Sequence, residues 1–235
     1  MVADNLKGVR ARMQAAAFRA GRNPDEITCM AVSKTCPPER ILEAYEAGLR
    51  VFGENRVQEF ADKSHALDHL PDAEWHMIGH LQTNKAAKAA ELFSSVDSLD
   101  SLRLAEKLNV SARLLGRRLA VLIEIKIGDE AGKSGVAPES EELTELLAKA
   151  PELEHLEFRG LMAIPPFAEN PEQSRLSFQR LRQLRDQIAA RKLPSVGMQI
   201  LSMGMSHDFE VAIEEGSTCV RIGTAIFGER TKGEI

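Results

Sequence analysis

Eight short β-rich runs, each separated from the next by one helical stretch, occupy a chain of 235 residues with no Gly/Ser/Pro-rich linker. Together these features predict a single-domain (β/α)8 barrel of the TIM class. Strict alternation implies parallel strands joined by right-handed crossovers. Eight such units in about 210 residues approach the usual barrel length of about 250. A doubly wound open sheet is the other arrangement that the alternation allows.

The opening stretch "MVADNLKGVRARMQAAAFRAG" is polar with helical periodicity, so a helix is expected over about 2–20, ahead of a barrel over about 27–230. "ITCMAVS" is the first strand; Pro37-Pro38 then start a helix that ends before Gly48. "RVFG" leads into a helix near 55–66, "EWHMIG" into 83–92 and "FSSVDS" into 99–109. "LAVLIEIKI" leads into 139–149, "LEFRGLMAI" into 170–191 and "MQILSMG" into 206–215; "TCVRIG" is the eighth strand. The second and fourth runs are short.

Composition excludes several classes of function. Net charge is −5 with no long basic run, which disfavours nucleic acid and anionic membrane as partners. No stretch reaches the roughly 18 to 20 apolar residues of a membrane span, and the N-terminus lacks the apolar core of a secretory signal. Three cysteines (Cys29, Cys36, Cys219) without CxxC spacing fit a reducing, cytoplasmic setting rather than a disulfide framework or a cysteine zinc site.

In a barrel of this kind the chemistry lies on the loops that follow the strands. Those positions read Ser33-Lys34-Thr35, Gly53-Glu54-Asn55, Ile78-Gly79-His80, Asp97-Ser98, Lys126, Met162–Pro165, Ser202–Ser206 and Arg221–Thr224. Glycines and small hydroxyl residues gather after strands seven and eight, where barrels often hold a phosphate on backbone N–H groups. Lys34, taken alone, is a rim lysine. Set across the mouth from a phosphate cup, it becomes an amine able to form an imine with a carbonyl. A carbonyl compound with a phosphate arm is pyridoxal 5′-phosphate (PLP) or the sugar-phosphate substrate of an aldolase. PLP also needs a group facing its pyridine nitrogen. Arg221 is placed to supply it, and a cation there weakens the ring as an electron sink.

The blocks "AVSKT", "GENRVQE", "EWHMIGHLQTNK", "GLMAIPP", "LSMGMSHDFEVAI" and "GSTCVRIGTAIFGER" resemble the signatures of the pyridoxal phosphate homeostasis protein family, from about residue 27 to 230. The resemblance implies a barrel similar to the N-terminal domain of alanine racemase, carrying PLP as an imine of Lys34. It implies Asn55 beside the cofactor and Met203 against the ring or its surroundings. Ser206, Gly223 and Thr224 would hold the phosphate, with Arg221 facing the pyridine nitrogen. The implied role is PLP buffering and delivery, with PLP-dependent apoenzymes as partners, in amino-acid and keto-acid balance and without an established turnover. A monomer is the default expectation.

A PLP-dependent racemase, the alternative, needs a second acid/base opposite the lysine; in alanine racemase it is a tyrosine that depends on a second domain. The chain continues only about a dozen residues past its eighth strand, so no such domain is expected. The sole tyrosine, Tyr45, reads as packing, and His80 and His207 as hydrogen-bonding loop residues. "GDEAGKSG" is not a P-loop, because Gly128 and Gly132 enclose three residues rather than four and two carboxylates replace bare amides; Lys133 and Ser134 are expected to order this loop. His65 and His69 have metal-ligand spacing but fit a solvated helix face, so no metal site is expected. Trp75 reads as an outer packing anchor, Cys36 as a small loop residue, and the basic helix 170–191 as a solvated outer face.

Overall fold

The computed structural model describes residues 1–128 and 134–228. Its strands are β1 (Thr28–Val32), β2 (Val51–Glu54), β3 (Glu74–Met77), β4 (Ser95–Leu99), β5 (Leu119–Glu124), β6 (Leu156–Met162), β7 (Val196–Met205) and β8 (Cys219–Ile222). They are parallel and close in sequence order, β8 pairing with β1 through Cys29↔Val220 and Ala31↔Ile222. The helices are α1 (Val2–Arg19), α2 (Pro38–Glu46), α3 (Val57–Ser64), α4 (Ala86–Leu92), α5 (Leu102–Leu114), α6 (Glu141–Lys149), α7 (Arg175–Ala190), α8 (Phe209–Glu214) and α9 (Thr224–Phe227). The expected barrel is therefore present, including the two short strands, and the open sheet is not.

Differences from the expected boundaries have local causes. Ser101 caps α5 by accepting the Leu104 N–H, which delays the helix from 99 to 102. Pro171–Ser174 form a 3-10 turn, so α7 starts at 175 rather than 170. Thr83–Lys85 do the same ahead of α4. The four-residue α9 was not expected at all.

α1 seals the β8–β1 seam from outside. Val2, Leu6, Val9, Met13, Ala16 and Ala17 recur every three to four residues and form its buried face. Asn5 Nδ2 donates to the Ile226 carbonyl at 2.9 Å, and Arg12 and Arg19 pair with Glu210 and Glu214 of α8.

The strands are buried on both faces, and the faces differ. Ala31, Phe52, Met77, Val96, Val121, Leu161, Leu201, Val220 and Ile222 belong to one large apolar cluster shared with the helices. Met30, Ile78 and Cys219, with Val32, Val51 and Ile200 against them, form a separate small cluster inside the barrel. Trp75 packs outside, against Phe52 and Phe60. Among the described residues no helix is long and apolar enough to cross a membrane.

Candidate functional site

The end of β1 is held in one place by side chains from β2 and α3. Met30 and Val32 face the barrel interior, and continuing the two-residue period puts Lys34 on the same side. Ser33 is buried, and its Oγ donates to Glu54 Oε1 at 2.5 Å. Cys36 N–H donates to the Ser33 carbonyl at 3.0 Å, closing a turn around the half-buried Lys34. Asn55 follows the buried Glu54, and Gly79 packs on its backbone. A Cβ on Gly79 would lie 2.3 Å from the Asn55 carbonyl oxygen, so only glycine allows this approach.

The ends of β7 and β8 build a cup. Gly204 has φ +91°, and a Cβ there would lie 2.4 Å from Ala212 Cβ. The β7–β8 register shifts between Ser202 and Met205 around this residue, as at a β-bulge. Ser206 Oγ then accepts N–H bonds from Gly223 and Ala225, each at 3.3 Å. Thr224 lies between those two donors and is exposed at the start of α9. Ala225 is a contributor that residue type concealed, since its part is played by a backbone N–H.

Arg221 lies inside the barrel, 2% exposed. Its guanidinium donates to Ser202 Oγ at 2.7 Å and to the Ala163 carbonyl at 2.8 Å. Both partners are neutral, and burial lowers its pKa despite the Asp97, Glu124 and Asp208 carboxylates in its surroundings. Also on the inner face, His76 Nδ1 pairs with Asp97 Oδ2 at 2.9 Å, and Ser95 Oγ donates to Asp97 Oδ1 at 2.5 Å. Burial alone would lower the His76 imidazole, but the Asp97 and Glu74 carboxylates together outweigh it and His76 is pushed up to about 9. Glu124, at the end of β5, accepts from Ser134 Oγ at 3.1 and 3.2 Å, and burial raises its pKa. Sequence reasoning missed the roles of Ser202 and His76, whose partners lie on other strands, and of Glu124, whose partner Ser134 lies in the loop after β5.

The sequence-predicted residues thus divide. Ser206, Gly223 and Thr224 come together, with Arg221 beneath them on β8. Lys34 sits on the neighbouring strand rather than across the mouth, because closure makes β1 the partner of β8; a Cβ on Gly223 would lie 3.5 Å from Val32 Cβ. Met203 is fully buried in the outer cluster, on the other face of β7 from Ser202, and its carbonyl accepts from Ser217 Oγ. His80 Nδ1 meets Asp100 Oδ2 at 3.0 Å, and His207 Nε2 meets the Glu169 carbonyl. Tyr45 bonds Asp72 and stacks under Arg50, near the starts of β2 and β3 and so away from the mouth. Residues 129–133 of "GDEAGKSG", Lys133 included, lie outside the described residues. Among the described residues no three His, Cys, Asp or Glu side chains group around a metal position; His65 pairs with Asp68 in solvent. Burial pushes the Cys29 and Cys219 thiols up to about 11 and about 12.

A closed parallel barrel with a cup at β7 and β8 and a lysine at β1 defines a class: the alanine racemase N-terminal domain family matches residues 5–231. Alanine racemase from Streptomyces coelicolor shares the fold at 20% identity, with TM-score 0.70 over 96% of this chain and 59% of that one. A pyridoxal phosphate homeostasis protein of Aquifex aeolicus is 48% identical over 227 residues, 97% of each chain. PipY of Synechococcus elongatus, solved with PLP bound, is 36% identical with TM-score 0.82, covering 97% of this chain and 100% of that one. The chain belongs to the pyridoxal phosphate homeostasis protein family.

Proposed function

We propose that this chain binds PLP at the barrel mouth and serves PLP homeostasis, buffering the cofactor and delivering it to PLP-dependent apoenzymes. The observation that carries the reading is the convergence of the Ser206 hydroxyl with the Gly223 and Ala225 N–H groups, one strand away from Lys34. Hydroxyl and amide donors suit a phosphate dianion. A buried guanidinium with neutral partners suits the lone pair of a pyridine nitrogen.

In this reading Lys34 holds PLP as an imine, and Ser206, Gly223, Thr224 and Ala225 hold its phosphate. Arg221 faces the ring nitrogen, Asn55 lies beside the ring, and Met203 supports the β7 end from the core. PLP supplies an aldehyde carbon, to which an amine joins with loss of one water. Arg221 keeps a proton off the ring nitrogen, which restrains carbanion chemistry and favours carriage over turnover. The PLP-bound PipY neighbour and the names of the curated relatives support the same reading. The site works on one barrel domain of a cytoplasmic monomer.

The test is direct. Incubation with PLP should give a visible imine band, and borohydride should fix the label on Lys34. Lys34→Ala should abolish the label entirely while the cup retains weak non-covalent PLP. A label elsewhere, or no band, overturns the reading. Racemisation of amino acids with PLP alone would favour the racemase alternative.

A further inference from the structure

The turn that carries Lys34 is gripped by three charged residues from β2 and α3. Lys63 of α3 has a side chain only 10% exposed. Its ammonium donates to the Ser33 carbonyl at 3.0 Å and reaches the Cys36 carbonyl at 3.5 Å. It also pairs with Glu54 Oε1 at 2.9 Å and Glu59 Oε1 at 3.2 Å. Glu59 Oε1 accepts the Thr35 N–H at 2.6 Å, and Glu54 Oε1 accepts the Ser33 hydroxyl. So the residues on both sides of Lys34 are fixed through their backbones.

Two features show that this grip holds the turn against resistance. Thr35 has φ 61°, a left-handed conformation that a β-branched residue adopts only under external constraint. Glu54 is fully buried, with Oε2 lacking a hydrogen-bond partner among the described residues. A carboxylate in that position is costly unless a cation is held against it. Lys63 supplies the cation, so burial of Glu54 and grip on the turn depend on one ammonium.

We propose that Lys63, Glu54 and Glu59 are positioning residues that fix the Lys34 turn and thereby set how fast PLP is captured and released. The proposal rests on the imine reading of Lys34. Capture joins the Lys34 nitrogen to the aldehyde carbon and expels one water; release consumes one water and restores the amine and the aldehyde. A turn free to rotate would move the amine away from the carbon without altering the phosphate cup.

The test uses the full chain with Glu59→Gln and, because Lys63→Met alone would strand a buried carboxylate, the pair Lys63→Met with Glu54→Gln. Losing a hydrogen bond to a charged group corresponds to about a tenfold change. Release of PLP, followed at the visible band after dilution, should be about tenfold faster in each variant. Exchange of the Thr35 and Cys36 amides in the PLP-free protein should accelerate by a similar factor. Folded variants with parental release and exchange rates would overturn the clamp. Failure of the parent chain to place the borohydride label on Lys34 would instead overturn the imine reading beneath it, so the two failures are distinguishable.

Discussion

On the outer face of the barrel wall stand Phe52, Met77, Val96, Leu201 and Val220; one position along the same strands, on the inner face, stand Gly53, His76, Asp97, Ser202 and Arg221. Both faces are out of water. The outer face is stabilised by apolar area and close packing against helices. The inner face carries charges that are tolerated because they have hydrogen-bonding partners, His76 with Asp97, Arg221 with Ser202 and Ala163, and Glu124 with Ser134. The first arrangement holds the barrel closed. The second places donors at the mouth, and the cup continues it.

The outer face carries the largest share of the stability. Phe52→Ala should cost about 3–5 kcal/mol of stability, since Phe52 is fully buried and stacked on Trp75 at 4.9 Å. Denaturant unfolding measures this, and the folded fraction should still take the borohydride label at Lys34. Loss of the label in molecules that remain folded would show that the outer packing also shapes the mouth.

A smaller effect isolates the inner face. His76 rises from an ordinary value of 6.5 to about 9 on folding. Its contribution to stability is therefore complete below pH 6.5 and is lost as pH rises through about 9. A shift of this size corresponds to at most about 3 kcal/mol. Urea unfolding between pH 6.5 and 9.5 should show declining stability, and His76→Asn should remove that slope while lowering stability at pH 6.5. An unchanged slope in the variant would separate the inner ion pair from stability.

The smallest change lies at the cup. Ser206→Ala removes the hydroxyl that donates to the phosphate in the proposed reading, worth about 1 kcal/mol, so PLP should bind about fivefold more weakly with stability nearly unchanged. Titration of the visible band measures the first and thermal unfolding the second.

How far the sequence could be read follows from the same contrast. Strand and helix order, the position of Lys34 past β1, and the "SMGMS" and "RIGT" loops were legible because each is local. Inner and outer faces were not, because the alternation of polar and apolar residues in runs such as Glu74–Met77 reads equally as solvent against core, whereas in the closed barrel both faces are buried. "FSSVDS" gives no sign that Asp97 faces inward and Val96 outward. The clamp was equally hidden: Lys63 reads as a helix-surface lysine, and its partners Ser33 and Glu54 lie 30 and 9 residues upstream.

Short-range pattern and composition were enough to define the eight β/α units, the lysine at the first strand end and the residue types of the cup. Tertiary structure alone decided that β1 closes on β8, seating Lys34 beside the cup rather than opposite it. It also decided that Arg221 has neutral partners, that Met203 packs in the core, and that Lys63 grips the Lys34 turn. Those outcomes depend on contacts between residues far apart in the chain, which become defined only when the barrel closes.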